Sequence, residues 1–271
     1  MPRASWDAHA HVIGDPARFP LWPGRSYTPR PAPLEAYLSM LDRHGLARGV
    51  LVQPSVYGFD NACLLDALDR SDGRLVGVVV PPPDARPRDL EGMHRRGARG
   101  VRCNLVQPGG LPPEVAIGWQ PALAALGWHV EVQARLDHLT ELSAFVARFG
   151  VPVVIDHMGG PQPGRSDPAR PAFRRLLELV RDGACFVKIS APYRLSAEPP
   201  PWLDVVPLAR ALVAANPRAC LWGSDWPHVG TASPVVSDDL MRALEAWCPD
   251  AGGKEVVTAD AARALFEGRV G

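Results

Sequence analysis

The segment Ser5-Trp6-Asp7-Ala8-His9-Ala10-His11 predicts the first strand of the chain, and its pattern decides how the rest is interpreted. Side chains alternate along a strand, so Asp7, His9 and His11 are expected on one side. Neighbouring neutral imidazoles suit a divalent metal, or they can donate hydrogen bonds to a developing oxyanion. The segment therefore predicts a polar cluster at one end of the first strand.

Short apolar segments recur after this one and alternate with longer amphipathic segments, which predicts parallel strands joined by right-handed crossovers. Eight such units favour closure into a (β/α)8 TIM barrel, here a single domain over residues 1–271. No G-x-G-x-x-G follows a strand, so nothing indicates a dinucleotide-binding sheet. The predicted strands are Ser5–His11, Gly49–Gln53, Leu75–Val80, Gly100–Leu105, Trp128–Gln133, Pro152–His157, Cys185–Ser190 and Cys220–Asp225.

Helical periodicity occupies the gaps between these strands. Gly150 stands where a helix would stop, and Asn216-Pro217 closes another. The predicted helices span Leu34–Leu41, Asn61–Arg70, Arg88–Arg96, Gln120–Leu126, Leu139–Phe149, Leu176–Val180, Leu208–Ala215, Asp239–Trp247 and Ala259–Phe266.

The composition restricts the class of protein. Hydrophobic residues make up 46% of the 271 residues, charged residues 21%, and the formal net charge is zero. A neutral chain lacks the basic field that nucleic acid or an anionic membrane requires. The five cysteines form no C-x-x-C pair, and no segment approaches the roughly 20 apolar residues of a membrane span. We therefore expect a cytoplasmic protein, monomeric or homodimeric, without disulfides.

Prolines cluster in the connections that follow predicted strands, and in a barrel these connections form the catalytic face. Long, stiff loops on that face indicate a shaped pocket, although a coding bias towards proline would produce the same composition. The clusters span Pro16–Pro33, Pro81–Pro87, Pro108–Pro113, Pro161–Pro171 and Pro192–Pro201.

Two further strands end in residues that can carry chemistry. The sixth ends in Asp156-His157 and the eighth in Ser224-Asp225. An aspartate in such a place often caps a helix, but the following Trp226-Pro227 is a poor helix start. Together with the first strand, these ends predict three imidazoles and one carboxylate at a single rim.

At this point the sequence resembles the amidohydrolase superfamily, and within it the branch of 2-pyrone-4,6-dicarboxylate lactonase and related lactone hydrolases. The resemblance covers nearly the whole chain. It is carried by Asp7-Ala8-His9-Ala10-His11-Val12, Ala17-Arg18-Phe19-Pro20, Val52-Gln53-Pro54-Ser55, Gly100-Val101-Arg102-Cys103-Asn104, Gly127-Trp128-His129-Val130, Ile155-Asp156-His157-Met158-Gly159, Trp222-Gly223-Ser224-Asp225-Trp226-Pro227-His228 and Ala262-Arg263-Ala264-Leu265-Phe266.

The resemblance implies that Asp225 is the general base for water, and that His9, His11 and His157 polarise the lactone carbonyl or hold a metal. Superfamily members with strong metal centres add a histidine from the fifth strand. Gln133 ends that strand here, and His129 lies at its far end. We therefore favour metal-free chemistry. The alternative is one divalent ion such as zinc, held by His9, His11, His157 and Asp225.

The resemblance also implies that Arg102 and Arg194 bind a substrate carboxylate, for which guanidinium forks are suited. Lys188 is expected to point inward, either to aid carbonyl polarisation or as a structural ion-pair partner. Asn61 could equally cap a helix. The remaining predicted pocket residues are Gln53, Ser55, Tyr57, Asn61, Gln133 and His228.

The chain departs from the pyrone lactonase after Asn104, where that enzyme carries another arginine and this sequence continues Leu105-Val106-Gln107. Without that arginine, a lactone with one carboxylate or a sugar lactone is as plausible a substrate as a dicarboxylate pyrone. The sequence thus predicts a hydrolase that opens a small anionic lactone. The alternatives are a metal-dependent decarboxylase of a small unsaturated or aromatic acid and a ligand-binding barrel without catalysis.

Overall fold

The computed structural model describes residues 4–139, 141–231 and 234–267, which form eight parallel strands in a nearly closed barrel with helices between them. The strands pair in chain order from the first to the eighth. They are β1 (Trp6–Ala10), β2 (Arg48–Val52), β3 (Leu75–Val79), β4 (Ala98–Asn104), β5 (His129–Gln133), β6 (Val153–Ile155), β7 (Phe186–Ser190) and β8 (Cys220–Gly223). The predicted TIM barrel is confirmed.

The helices lie around this sheet, and most of them bury apolar residues against it. In the seventh, Phe173, Leu176, Leu179 and Val180 are buried at helical spacing. The helices are α1 (Leu34–Arg43), α2 (Ala62–Asp69), α3 (Pro87–Arg95), α4 (Pro113–Gly118), α5 (Gln120–Ala125), α6 (Leu142–Ala147), α7 (Pro171–Arg181), α8 (Val206–Ala215), α9 (Ser237–Trp247), α10 (Ala251–Glu255) and α11 (Ala261–Phe266). None of the helices in the described ranges is long and apolar enough to cross a membrane.

Some boundaries differ from those predicted. The helix expected over Leu139–Phe149 is confined to α6, and α4 was not predicted. The segment Val256–Asp260, between α10 and α11, forms a π-helical turn. Strands β1, β6 and β8 end before His11, His157 and Asp225, so these three residues lie in the connections just beyond the strands.

The barrel closes between β1 and the residues after β8. The amide of Asp225 donates to the carbonyl of His9 (2.8 Å), and the amide of His11 donates to the carbonyl of Trp226 (2.7 Å). The carboxylate of Asp7 accepts from the amide and the hydroxyl of Ser224 (2.7 and 2.5 Å). The closure therefore brings the first and last polar segments together.

The expectation that Asp7 shares a side with both histidines was wrong. The pairing of β1 with β2 shifts register between Asp7 and Ala10. Asp7 instead accepts from the hydroxyl of Tyr37 on α1 (3.1 Å), so it lies on the helix side of the sheet. A bulge of this kind re-aims a side chain, which is why strict alternation fails here.

Candidate active site

Strand alternation brings charged side chains into the barrel interior. In β5, Val130 and Val132 face the helices while Glu131 points inward, in register with Arg102 of β4. Lys188 of β7 reaches the same level. All three side chains are at most 3% exposed. Buried charges of this kind persist only when they are paired, so the interior must satisfy them with one another.

The pairing centres on Lys188, whose ammonium donates to Oε2 of Glu131 and to Nδ1 of His9 (3.0 Å). A nitrogen that accepts a hydrogen bond carries no proton, so neutral His9 holds its proton on Nε2. Burial, reinforced by the charge of Lys188, lowers the pKa of His9 well below its usual value. His9 therefore presents an N–H donor towards the mouth of the barrel.

Arg102 and Asp156 form the second half of this network. Nη2 of Arg102 donates to Oδ2 of Asp156 (3.0 Å) and to Oε1 of Gln133 (2.9 Å). Burial works against ionisation of Asp156, yet contacts with His9, Arg102 and Lys188 hold the pKa of Asp156 well below its usual value. Burial and the Asp156 carboxylate instead raise the pKa of Glu131.

The two carboxylate oxygens of Asp225 have different surroundings. Oδ2 accepts from the hydroxyl of Tyr193 and from Nε of Arg194 (3.0 Å). Oδ1 has no hydrogen-bond donor among the described residues, and it lies 3.2 Å from Nε2 of His11 and 3.6 Å from Nε2 of His9. Burial opposes ionisation, but Arg194 and His157 hold the pKa of Asp225 well below its usual value. Asp225 is thus ionised at neutral pH, and its Oδ1 is buried at the floor of the site.

The other two histidines are oriented by neighbours outside the cluster. Nδ1 of His11 donates a hydrogen bond to the carbonyl of Val52 (2.7 Å), so in the neutral ring the lone pair is on Nε2. Nδ1 of His157 lies 2.8 Å from Oγ of Ser190. Burial lowers the pKa of His157 to about 4. The ring centroids of His11 and His157 are 5.0 and 4.7 Å from that of His9.

The backbone at the strand ends takes up left-handed conformations that favour glycine. Asp225 has a φ of 55° and His157 a φ of 50°. Such conformations cost a non-glycine residue of the order of 1–2 kcal/mol each. Strain of this kind concentrates at functional sites, where the surrounding structure holds a side chain in place.

Two groups of side chains have the spacing of metal ligands among the described residues. The first is His9, His157 and Asp225, and the second is His9, Glu131 and Asp156. The ammonium of Lys188 already contacts every member of the second group, which excludes a cation there. The first group has the distances for one divalent ion, and His9 Nε2 and Asp225 Oδ1 lack partners. Lys188, however, keeps the proton of His9 on the ligating nitrogen.

A cavity of about 290 Å³ lies above this cluster. Among the predicted pocket residues, Ser55, Gln133, Arg102 and Arg194 line it, as do the catalytic candidates His11, His157 and Asp225. His9 and Lys188 lie beneath them, fully buried. The structure therefore brings together both predicted arginines and all predicted catalytic side chains.

Three residues expected in the pocket are held elsewhere. Nε2 of Gln53 donates to the carbonyl of Asp60 (2.7 Å), so its side chain turns into the loop after β2. The hydroxyl of Tyr57 accepts from the amide of Gly14 (3.0 Å). Asn61 exchanges hydrogen bonds with the backbone of Val80 (2.8 and 2.9 Å). Their pocket assignments are corrected, because each side chain satisfies buried backbone groups, and Asn61 makes no cap hydrogen bond.

His228 is a fourth correction. Its ring meets the ring of Tyr193 edge-on, with centroids 5.8 Å apart, instead of lining either large cavity. Its amide donates to the carbonyl of Asp225 (2.8 Å), so the backbone turn aims the side chain away. Burial lowers the pKa of His228 to about 4, and the nearby Asp225 carboxylate opposes this shift.

Four residues around the site were not predicted as site residues. Glu131 and Asp156 had a signal, since each acid stands at an inward strand position next to apolar residues. No sequence pattern indicated Tyr193 and Tyr27, because only the conformation of their loops brings them to the site. Burial raises the pKa of Tyr27, and the charged groups around its hydroxyl include Arg194 and Asp225.

Comparisons with known proteins agree with this architecture. The amidohydrolase family described as "Amidohydrolase" matches residues 6–268. The chain is 35% identical to the 4-sulfomuconolactone hydrolase of Rhizobium radiobacter over 272 residues, which cover 98% of this chain and 91% of that protein. It is 34% identical to the 2-pyrone-4,6-dicarboxylate hydrolase of Comamonas testosteroni over 252 residues, 89% of this chain and 82% of that one.

A solved structure from Pseudomonas putida, which carries a provisional 2-pyrone-4,6-dicarboxylic acid hydrolase name, superposes with a TM-score of 0.85. It is 34% identical, and all of both chains is covered. A barrel with its polar cluster at the carboxyl ends of the strands defines a TIM-barrel enzyme. The chain belongs to the amidohydrolase family and is a hydrolase.

Proposed function

We propose that this enzyme hydrolyses the ester bond of a small carboxylated lactone, with Asp225 as the general base. One observation carries the proposal: the ionised carboxylate has one oxygen held by Tyr193 and Arg194, while the other is buried at the floor of the cavity without a hydrogen-bond partner among the described residues. Relatives that act on lactones, at 34 and 35% identity, support the class of substrate.

In the first step, a water at Oδ1 of Asp225 gives its proton to the carboxylate as its oxygen attacks the lactone carbonyl carbon. The lone pair on Nε2 of His11, 3.2 Å from Oδ1, orients that water by accepting its second hydrogen. When the tetrahedral intermediate collapses, the ring C–O bond breaks. Protonated Asp225 then returns the proton to the leaving alkoxide, which yields a hydroxy acid.

The N–H of His9 and the ring of His157 stabilise the oxyanion. Both rings are neutral at pH 7, because burial lowers the pKa of each. A donor fixed in a buried site stabilises the transition state without reorganisation, and removal of one such donor typically costs about 10²- to 10³-fold in rate. Lys188 acts through His9 by fixing its proton on Nε2.

We propose metal-free chemistry, since the tautomer that Lys188 imposes removes the lone pair a metal would need on Nε2 of His9. A divalent ion would require His9 to give up that proton, and it would then be held by His9, His157 and Asp225 and would polarise the lactone carbonyl. The substrate carboxylate pairs with Arg194, whose guanidinium lines the cavity beside Asp225.

The test replaces Asp225 by Asn and measures hydroxy-acid formation from a panel of lactones and pyrones. Loss of the base is expected to lower kcat by about 10²- to 10⁴-fold. Asp72→Asn, in the exposed turn before β3, is the matched control. Near-normal turnover by Asp225→Asn would overturn the proposal. If a chelator abolished the activity and zinc restored it, only the metal-free mechanism would be contradicted, and lactone hydrolysis would stand.

A further inference from the structure

The catalytic cavity adjoins a larger chamber of about 690 Å³. The two share the lining residues Gln107, Gln133, His157, Arg194 and Gly230. The inner cavity, at about 290 Å³, lies at the small end of the usual range for ligand sites, roughly 300–1,000 Å³. A substrate whose ester sits at Asp225 can therefore extend past Arg194 into the outer chamber.

The two arginines that line the inner cavity have free hydrogen-bond donors for only one substrate carboxylate. Arg102 is committed, because Nη2 donates to Asp156 and Gln133 and Nη1 donates to the carbonyl of Gln53 (3.2 Å). Arg194 donates through Nε to Asp225 and through Nη2 to the carbonyl of Val229 (2.7 Å). Neither of these hydrogen bonds uses its Nη1. A single carboxylate therefore meets its partner at Nη1 of Arg194.

Two proline-rich connections supply the apolar part of the wall of the outer chamber, whose lining also includes Gln162 and Ser196. The connection after β6 contributes Pro161 and Pro163, and the connection after β7 contributes Pro199, Pro200 and Trp202. Proline has a fixed φ and no N–H, so such a wall is stiff and offers few donors to a polar group. The wall is therefore suited to an apolar group.

The charges at this chamber's edge do not favour a second anion. Besides residues shared with the catalytic cluster, Arg135 and Glu198 line it. Both are exposed and opposite in sign. An anion at Arg135 would form an exposed ion pair in competition with solvent, and exposed ion pairs are weak.

We propose that the substrate is a lactone with a single carboxylate and an apolar alkyl or aryl substituent, which packs against the proline wall while the carboxylate pairs with Arg194. This inference rests on the proposed lactone hydrolysis and names its substrate class. Each methylene that the wall buries is expected to raise kcat/KM by up to about fourfold.

The test uses three γ-lactones that share one carboxymethyl group and differ at the ring carbon farthest from it, with hydrogen, n-butyl or a sulfonate there. The n-butyl lactone is expected to exceed the unsubstituted one in kcat/KM by about tenfold or more, and the sulfonate to fall below it. Ala197 is an exposed residue of the outer chamber wall, so Ala197→Trp should narrow that chamber. In this variant the ratio of kcat/KM for the n-butyl lactone to that for the unsubstituted lactone should fall close to one. Ala124→Trp on the exposed side of α5 is the matched control.

A sulfonate lactone that is the best substrate would overturn this inference and identify Arg135 as a second anionic anchor. The inference would also be overturned if the enzyme hydrolysed the unsubstituted and the n-butyl lactone equally well. The same holds if Ala197→Trp changed kcat/KM equally for these two lactones. Either result would leave the proposed lactone hydrolysis intact. Hydrolysis of none of the three by the wild-type enzyme would overturn both.

Discussion

Tyr193 and Arg194 are consecutive residues that both donate to the same oxygen of Asp225. Together they hold the carboxylate plane so that the other oxygen faces the imidazoles. The side chain of Arg194 is 28% exposed, and its guanidinium has more donors than the single hydroxyl of Tyr193. Arg194 is therefore able to meet a substrate anion, whereas the Tyr193 hydroxyl is committed to the carboxylate.

Tyr193→Phe is expected to lower kcat by about ten- to a hundredfold, with little change in KM. The lost hydrogen bond is to a charged group and contributes about 1.5–3 kcal/mol. Steady-state kinetics on a hydrolysed lactone measure both constants. Tyr57→Phe is the matched control, because its hydroxyl bonds the amide of Gly14 outside the cavity. A KM effect in Tyr193→Phe with unchanged kcat would assign the hydroxyl to substrate binding instead.

At the scale of elements, the site depends on how closely β8 approaches β1. A Cβ on Gly223 would lie 2.6 Å from Cβ of His9 and 2.8 Å from its backbone nitrogen. Backbone cannot yield as a flexible side chain can, so only glycine permits this approach. The close approach of β8 to β1 also places His9 between Lys188 in the barrel interior and the reacting centre at the barrel mouth.

Gly223→Ala is therefore expected to destabilise the fold by about 1–3 kcal/mol through overpacking. It should also displace His9 and reduce activity far more than the stability loss explains. Urea unfolding and kinetics on the folded fraction separate the two effects. Gly92→Ala in α3, where the nearest atom is Arg95 Nη2 at 3.8 Å, should leave activity intact. Full activity in Gly223→Ala would show that His9 does not need its observed position.

For the whole molecule, burial of neutral histidines makes stability depend on pH. His129 lies inside the barrel against Phe266, with ring centroids 5.3 Å apart, and burial lowers its pKa to about 3. An unfolded histidine takes up a proton near pH 6.5. Between these values the unfolded state binds more protons, so stability falls as the pH falls from 6.5 towards 3.

His129→Leu should remove this contribution. Between pH 4 and 6 the slope of unfolding free energy against pH is expected to decrease by about 1.4 kcal/mol per pH unit relative to wild type. Urea titrations at several pH values measure it. Above pH 7.5 the two slopes should coincide, which serves as the internal control. Equal slopes at pH 5 would mean that His129 is protonated in the folded state.

Much of this architecture was predictable from local patterns. The eight strands were found because each is a short apolar run followed by helical periodicity, and closure into a barrel followed from their number. The cluster of His9, His11, His157 and Asp225 was predictable because carboxyl ends of parallel strands share one face. Glu131 and Asp156 obeyed the same alternation, so their positions were accessible to the same reasoning.

What the sequence by itself determined is the order of elements and the face on which strand-end residues emerge, because both depend on periodicities of 2.0 and 3.6 residues. Only the tertiary structure decided which loop side chains enter the cavity. Tyr193 was brought to Asp225, and Gln53, Tyr57 and Asn61 were turned to buried backbone groups. The reason is physical: a loop side chain takes the partner that satisfies buried polar groups, and that partner comes from a distant part of the chain.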